Sequence, residues 1–156
     1  SVDVPLLRVL LECGADPSIK TNNNTTPLMV AASVGIWAPG ENPGTHEEAL
    51  NAARMILDLA ADVNAIDDNG YTALHGAVYR GGAIPVIQLL ADRGAKLDVV
   101  NKKGWMPDAA ADGVEYTAAV LKRYPEAAAL LRRLMRERGL PVPQSTQPGS
   151  SAADQK

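Results

Sequence analysis

Two stretches, TPLMVAA at Thr26 to Ala32 and TALHGAV at Thr72 to Val78, are copies of one phrase. Each follows a second shared phrase, GADPS at Gly14 to Ser18 and AADVN at Ala60 to Asn64. A degraded third copy runs through GAKLD (Gly94 to Asp98) and GWMPDAA (Gly104 to Ala110). The residues that close each outer segment, Gly14, Ala60, Gly94 and Gly139, stand 46, 34 and 45 positions apart. A period of roughly 30 to 50 residues describes stacked supersecondary units in which each unit buries its apolar face only against its neighbours. In such an array the surface, rather than a central cleft, is where function is expected.

Every unit has the same internal order. A turn (Asn23-Asn24, Asn69-Gly70, Lys103-Gly104) supplies residues that tolerate positive φ. Thr26 or Thr72 then stands where a hydroxyl can cap a helix of small residues, Ala31 and Ala32 in one case, Ala73 and Ala77 in the other. A second helix follows with larger apolar residues at helical spacing, such as Val86, Ile87, Leu89 and Leu90. Ahead of the first full unit, Asp3 is placed to cap a helix with Pro5 in its first turn. The chain opens on Ser1 directly into that half unit, which is expected of a chain that continues upstream.

These phrases resemble the ankyrin repeat, in which TPLHxAA opens the inner helix and VxxLLxxGADVN closes the outer one. The resemblance implies an all-α solenoid of antiparallel helix pairs with short β-hairpin-like finger turns. It covers residues 1–139, with a half repeat at 1–20, repeats at 21–66, 67–100 and 101–139, and a tail at 140–156 that is expected to be disordered because it is rich in Pro, Ser, Gln and Gly. It also implies that Thr72 and His75 lock a turn by hydrogen bonds, and that Met29, in place of that His, removes the polar clamp from the preceding unit. Ala60, in place of the helix-ending Gly, is expected to cost roughly 1 kcal/mol if it adopts the left-handed conformation. In the third unit Met106 stands where Thr is expected, and Asp108 where a buried Leu is expected. An uncompensated carboxylate there predicts either a one-sided, exposed final inner helix or a shifted register.

The spacing carries further information. Against a period of about 33, the first unit is longer by about 13 residues and the third by about 12, at the same point between inner and outer helix. The first addition, Ile36 to Thr45, is a Pro/Gly loop that ends in a capping box, Thr45 with Glu48. The second, Val114 to Pro125, has helical spacing, and Pro125 is able to start a new helix. The two are expected to flank a notch floored by Arg80 to Pro85, with Trp37 and Tyr116 as the aromatic residues of a possible second binding rim.

Composition narrows the function classes. The 156 residues are 46% hydrophobic with no Phe, four Tyr and two Trp, so the core is built from small and aliphatic side chains. Net charge is −3 with no basic stripe, which removes the phosphate-neutralising term that nucleic-acid binding needs. No apolar run is long enough to span a membrane. The single Cys13 excludes an internal disulfide and a cysteine-rich zinc site, fits a reducing, cytoplasmic compartment, and reads as a semi-buried small residue at a helix end.

No catalytic, metal or cofactor constellation survives the repeat explanation. His75 belongs to the repeated phrase, and His46-Glu47-Glu48 points to different helix faces, with its acids where a first turn favours them. Arg132, Arg133, Arg136 and Arg138 read as a solvated helix face with cations near the C-terminus. The expected role is a non-catalytic scaffold that binds a protein partner on its concave face through Asn22, Asn23, Thr25, Ser33, Asp68, Asn69, Tyr71, Tyr79, Arg80, Lys102, Lys103 and Trp105. The alternative is an accessory or regulatory module of a longer enzyme or receptor, docked on a neighbouring domain.

Overall fold

The computed structural model of the chain describes residues 3–33, 44–115 and 121–143. Among them the order is α1 (Val4–Glu12), α2 (Pro27–Ala31), α3 (His46–Asp58), α4 (Ala73–Tyr79), α5 (Ile84–Asp92), α6 (Pro107–Asp112), β1 (Val114–Glu115), β2 (Leu121–Lys122) and α7 (Pro125–Glu137). Helices α2, α4 and α6 form an inner row, and α1, α3, α5 and α7 an outer row; α2 packs on α3, α4 on α5 and α6 on α7. The architecture is therefore an all-α solenoid of antiparallel pairs. Its interior is one continuous cluster of small residues on the inner row (Ala31, Ala32, Ala73, Ala77, Ala110, Ala111) against larger ones on the outer row (Ile56, Val86, Leu90, Leu131, Met135).

Local chemistry sets the ends of these elements. Asp3 Oδ1 accepts from the Leu6 amide at 2.9 Å, and Thr45 and Glu48 exchange reciprocal bonds at the start of α3. Positive φ recurs at the turn residues Asn24, Gly70 and Gly104 and at the outer-helix ends Gly14, Ala60, Gly94 and Gly139. Ala60 holds φ 60° there, a conformation in which its Cβ crowds the following carbonyl. Ala60→Gly is accordingly expected to stabilise the fold by about 0.5 to 1 kcal/mol in urea melts, the relief of strain outweighing the greater freedom of an unfolded glycine.

Three expectations are corrected. The described ends of the Val114 to Pro125 insertion are not helical: Gly113, in extended conformation, ends α6, and Val114 pairs antiparallel with Lys122 and Glu115 with Leu121. The backbone bonds of this short ribbon close the insertion, the Tyr124 amide donates to Ala111 O at 2.7 Å, and α7 starts at Pro125. Cys13, the C-cap of α1, is exposed rather than semi-buried. Leu140 and Val142, assigned to the tail, are half-buried against the core; residues 144–156 lie outside the described residues.

The third unit resolves its conflict by a route the sequence reading did not consider. Asp108 is buried at 1% exposure, and the last inner helix is neither one-sided nor out of register. Arg132 of α7 reaches back over α6, placing Nε 3.3 Å from Asp108 Oδ2 while its Nη2 bonds Asp112. The basic run is likewise not a uniform solvated face. Arg138 donates to the carbonyls of Ala91 and Ala95, satisfying the C-terminal end of α5, and only Arg133 makes a loose, exposed pair, with Glu137.

Candidate functional site

Three fingers stand side by side, built alike. In each, the first residue's backbone pairs with the residue four further on: Thr21 N to Thr25 O, Asp67 N to Tyr71 O, and Asn101 N to Trp105 O, at 3.0 Å each. The side chain of that first residue holds the turn from inside. Asp67 Oδ1 accepts from the amides of Asn69 and Tyr71, and Asn101 Oδ1 from those of Lys103 and Trp105. Adjacent fingers are joined by one backbone bond each, Asp68 N to Asn23 O at 3.1 Å and Lys102 N to Asn69 O at 2.9 Å. Asn24 Nδ2 adds a side-chain bond to Asp68 Oδ1.

This register sorts the expected binding residues. Asn22, Asp68 and Lys102 occupy one row of tips and Asn23, Asn69 and Lys103 the next, and all six are exposed. Tyr71 and Trp105 occupy the position of Thr25, at the base of each finger. Both are half-buried, whereas Thr25 is buried. Tyr71 meets His75 edge-on at 5.7 Å and Tyr79 at 5.6 Å, so the aromatic rings run along one side of α4.

Thr25, Ser33 and Arg80 do not belong to an accessible face. All three are buried, Arg80 at 1% exposure. The Arg80 guanidinium bonds Ser33 Oγ and the carbonyls of Gly44 and Thr45, the latter two at 3.1 Å, and burial lowers its pKa from the ordinary arginine value. It is thus a structural hub that ties the second unit to both ends of the first insertion. No local signal in the sequence marks this role, because the partners of Arg80 lie 35 to 47 positions upstream.

His46, the first residue of α3, and Tyr124, at the return of the second insertion, meet the same turn of the second unit. His46 Nε2 lies 3.3 Å from Arg80 O, and a Cβ placed on Gly81 would sit 3.8 Å from His46 Nε2 and 3.9 Å from Tyr124. At Gly82, with φ 67°, a Cβ would come within 2.9 Å of Tyr124 Cβ, so only glycine lets the second insertion's return close over this turn. Trp37 and Tyr116 lie outside the described residues.

His75 is fully buried and its chemistry is structural. Nδ1 accepts from Thr72 N at 3.2 Å, and Nε2 then carries the proton and donates to Trp105 O at 3.2 Å, joining α4 to the next finger. Burial pushes its pKa down to about 4. Met29 corrects the expectation that the clamp is lost in the preceding unit: its sulfur accepts from Thr26 N at 3.4 Å, and Thr26 Oγ1 accepts from Met29 N. What the thioether cannot provide is the N–H donor that His75 Nε2 offers to the next finger. Met29→His is therefore expected to raise stability by about 1 kcal/mol, checked by denaturant midpoint against the parent.

A family model described as ankyrin repeats in three copies matches residues 2–102. The chain belongs to the ankyrin repeat family. It is 31% identical over 103 residues to an ankyrin repeat protein of Rickettsia bellii (strain RML369-C), an alignment that takes in 66% of the chain and 27% of that protein. It is 33% identical over 97 residues to ankyrin repeat and SOCS box protein 16 of Mus musculus (62% and 20%). It is 34% identical over 119 residues to neurogenic locus notch homolog protein 1 of Mus musculus (63% and 5%). The chain thus spans about a quarter or less of these curated relatives. Ankyrin repeats are in general non-catalytic protein-interaction modules. Among the described residues no helix is long and apolar enough to cross a membrane, and no three His, Cys, Asp or Glu residues gather as a metal site.

Proposed function

We propose that the chain is a non-catalytic protein-binding scaffold whose partner lies across the three fingers and the aromatic side of α4. The observation that carries this reading is the register of the tips: three pairs of exposed polar residues, Asn22-Asn23, Asp68-Asn69 and Lys102-Lys103, stand in line above half-buried Tyr71, Tyr79 and Trp105. Aromatic anchors within a polar surround are the usual plan of an interface, and a row that changes from acidic to basic along its length orients what binds. A partner segment with acidic residues facing Lys102 and Lys103 fits best.

The test is affinity capture from the source organism with the parent chain and with Tyr71→Ala, Tyr79→Ala and Trp105→Ala variants of matched melting temperature. At least one variant should lose the captured protein by tenfold or more, about 1.4 kcal/mol. Three neutral variants would move the site elsewhere. The packing of His46, just after the first insertion, and Tyr124, at the return of the second, around Gly81 supports a second reading, a contact rim bearing Trp37 and Tyr116 through which the module docks on a neighbouring domain of a longer chain. Deleting residues 38–43 should weaken that contact and leave the concave one intact.

A further inference from the structure

The aromatic side of α4 is polar mainly in one sense. Among the described residues neither the Tyr71 hydroxyl nor the Trp105 indole N–H has a hydrogen-bond partner, and neither atom is buried. The carbonyls of both residues are engaged: Tyr71 O and Trp105 O accept from Asp67 N and Asn101 N, and Trp105 O also from His75 Nε2. The neighbouring hydroxyls, Thr72 Oγ1 and Ser33 Oγ, are buried and taken up by His75 and Arg80. What this side holds out is the Tyr71 O–H, the Trp105 N–H and, at the tip of the third finger, the exposed Lys102 and Lys103. Of these groups the indole and the two ammoniums can only donate.

The rings supply the apolar part. Tyr71 and Tyr79 meet at 5.6 Å with 81° between their planes, so two half-buried rings stand at right angles to one another. His75 lies against Tyr71 at 5.7 Å and bonds Trp105 O at 3.2 Å, which sets Trp105 next along the row. The units on either side carry Ser33 and Gly113 at the place that Tyr79 holds in the repeat, so no bulky side chain of the row competes for its ring. The Tyr79 hydroxyl is itself buried, and what this residue offers is ring surface.

We infer that this side of α4 takes an extended, proline-containing segment of the partner in the polyproline II conformation, with its prolines against Tyr71 and Tyr79 and an acidic residue at the Trp105 end, beside Lys102 and Lys103. The inference rests on the concave reading above and names the chemistry that reading leaves open. Three backbone forms compete for such a face. A helix keeps its carbonyls in its own i to i−4 bonds and has none left for Tyr71 or Trp105. A β-strand brings an N–H for every carbonyl it offers, and the accepting groups of this side are already engaged. A polyproline II stretch has no internal hydrogen bonds, so its carbonyls are open to donors, and each proline removes one N–H. It is also extended before it binds, so little ordering entropy is lost when it settles on an aromatic surface.

The test pans a phage library of random peptides against the 156-residue chain and then measures the best binder, as a synthetic peptide, by fluorescence anisotropy. Enriched clones should carry proline with an acidic residue to one side of it. Tyr71→Phe and Trp105→Phe keep a ring but lose the donor, and each should weaken the synthetic peptide about three- to tenfold. Replacing the peptide's prolines by alanine should weaken it at least as much. That comparison needs no variant of the protein, so it holds even where a substitution disturbs the fold. Lys102→Ser with Lys103→Ser should weaken binding at low salt and flatten its salt dependence. Enriched clones without proline, an alanine peptide that binds equally well, or phenylalanine variants of unchanged melting temperature that bind as the parent does each overturn the inference. If it falls while Tyr71→Ala or Trp105→Ala still loses the captured protein, the concave site stands with a different ligand; neutral alanine variants remove both.

Discussion

Arg132→Met should destabilise the protein by about 2 to 4 kcal/mol, the largest loss expected of any substitution considered. The side chain is 20% exposed, but the carboxylate it serves is not: Asp108 is 1% exposed and its hydrogen bond in the ion pair comes from Arg132 Nε. Removing one partner of a buried pair leaves an uncompensated charge, whose cost is several kcal/mol before partial solvation is allowed for. Asp108→Leu should be close to neutral, because it supplies the apolar residue the repeat calls for and leaves Arg132 still bonded to Asp112. The double variant Asp108→Leu, Arg132→Met should recover most of the loss. Urea unfolding of the four proteins decides it, and an Arg132→Met protein within 0.5 kcal/mol of the parent, a margin of about the size of surface effects, would show that Asp108 is held in some other way.

The second large effect is a pH dependence carried by His75. Its folded pKa, held down to about 4 by burial, lies below the unfolded value of about 6.5. At pH 7 both states are neutral and the group contributes nothing through protonation. As pH falls through 6.5 the unfolded chain takes up a proton that the folded chain refuses, so stability declines by about 1.4 kcal/mol per pH unit until the folded state also titrates near pH 4. Between pH 7 and pH 5 this amounts to about 2 kcal/mol. In His75→Gln the decline should be absent, while carboxylate effects common to both proteins cancel. At pH 7 itself, His75→Ala should cost about 1 to 2 kcal/mol through the unmade bonds to Thr72 and Trp105. Parallel pH profiles for parent and His75→Gln would contradict the assignment.

Much of this was legible in the sequence for a physical reason: the repeat imposes one backbone geometry three times over. Thr26 and Thr72 as caps, positive φ at Asn24, Gly70 and Gly104, the strained Ala60 and the locked His75 all follow from local rules that tertiary context does not override. The failures cluster where partners come from far away in sequence. Arg80 bonds residues 35 to 47 positions upstream, and Arg132 neutralises residues 20 and 24 positions upstream. A polar residue near an inner helix looks the same in sequence whether it faces a ligand or a neighbouring loop. Ser33 and Arg80 were therefore assigned to the surface when they in fact satisfy each other. The ribbon of Val114–Glu115 with Leu121–Lys122 escaped for a related reason: its apolar residues fit a helical template, and the chain reversal that pairs its two halves leaves no periodic mark.

The Arg80 clasp has a bearing on how such a protein can be altered. Because a side chain from the second unit grips Ser33 on one bank and Gly44 and Thr45 on the other, the stretch bridging them is anchored at its base, whatever its own sequence. The position is therefore a natural port for transplanted peptides. Segments of different length and composition could be exchanged between residues 33 and 44 with the helices undisturbed, so long as the arginine and its three acceptors are kept.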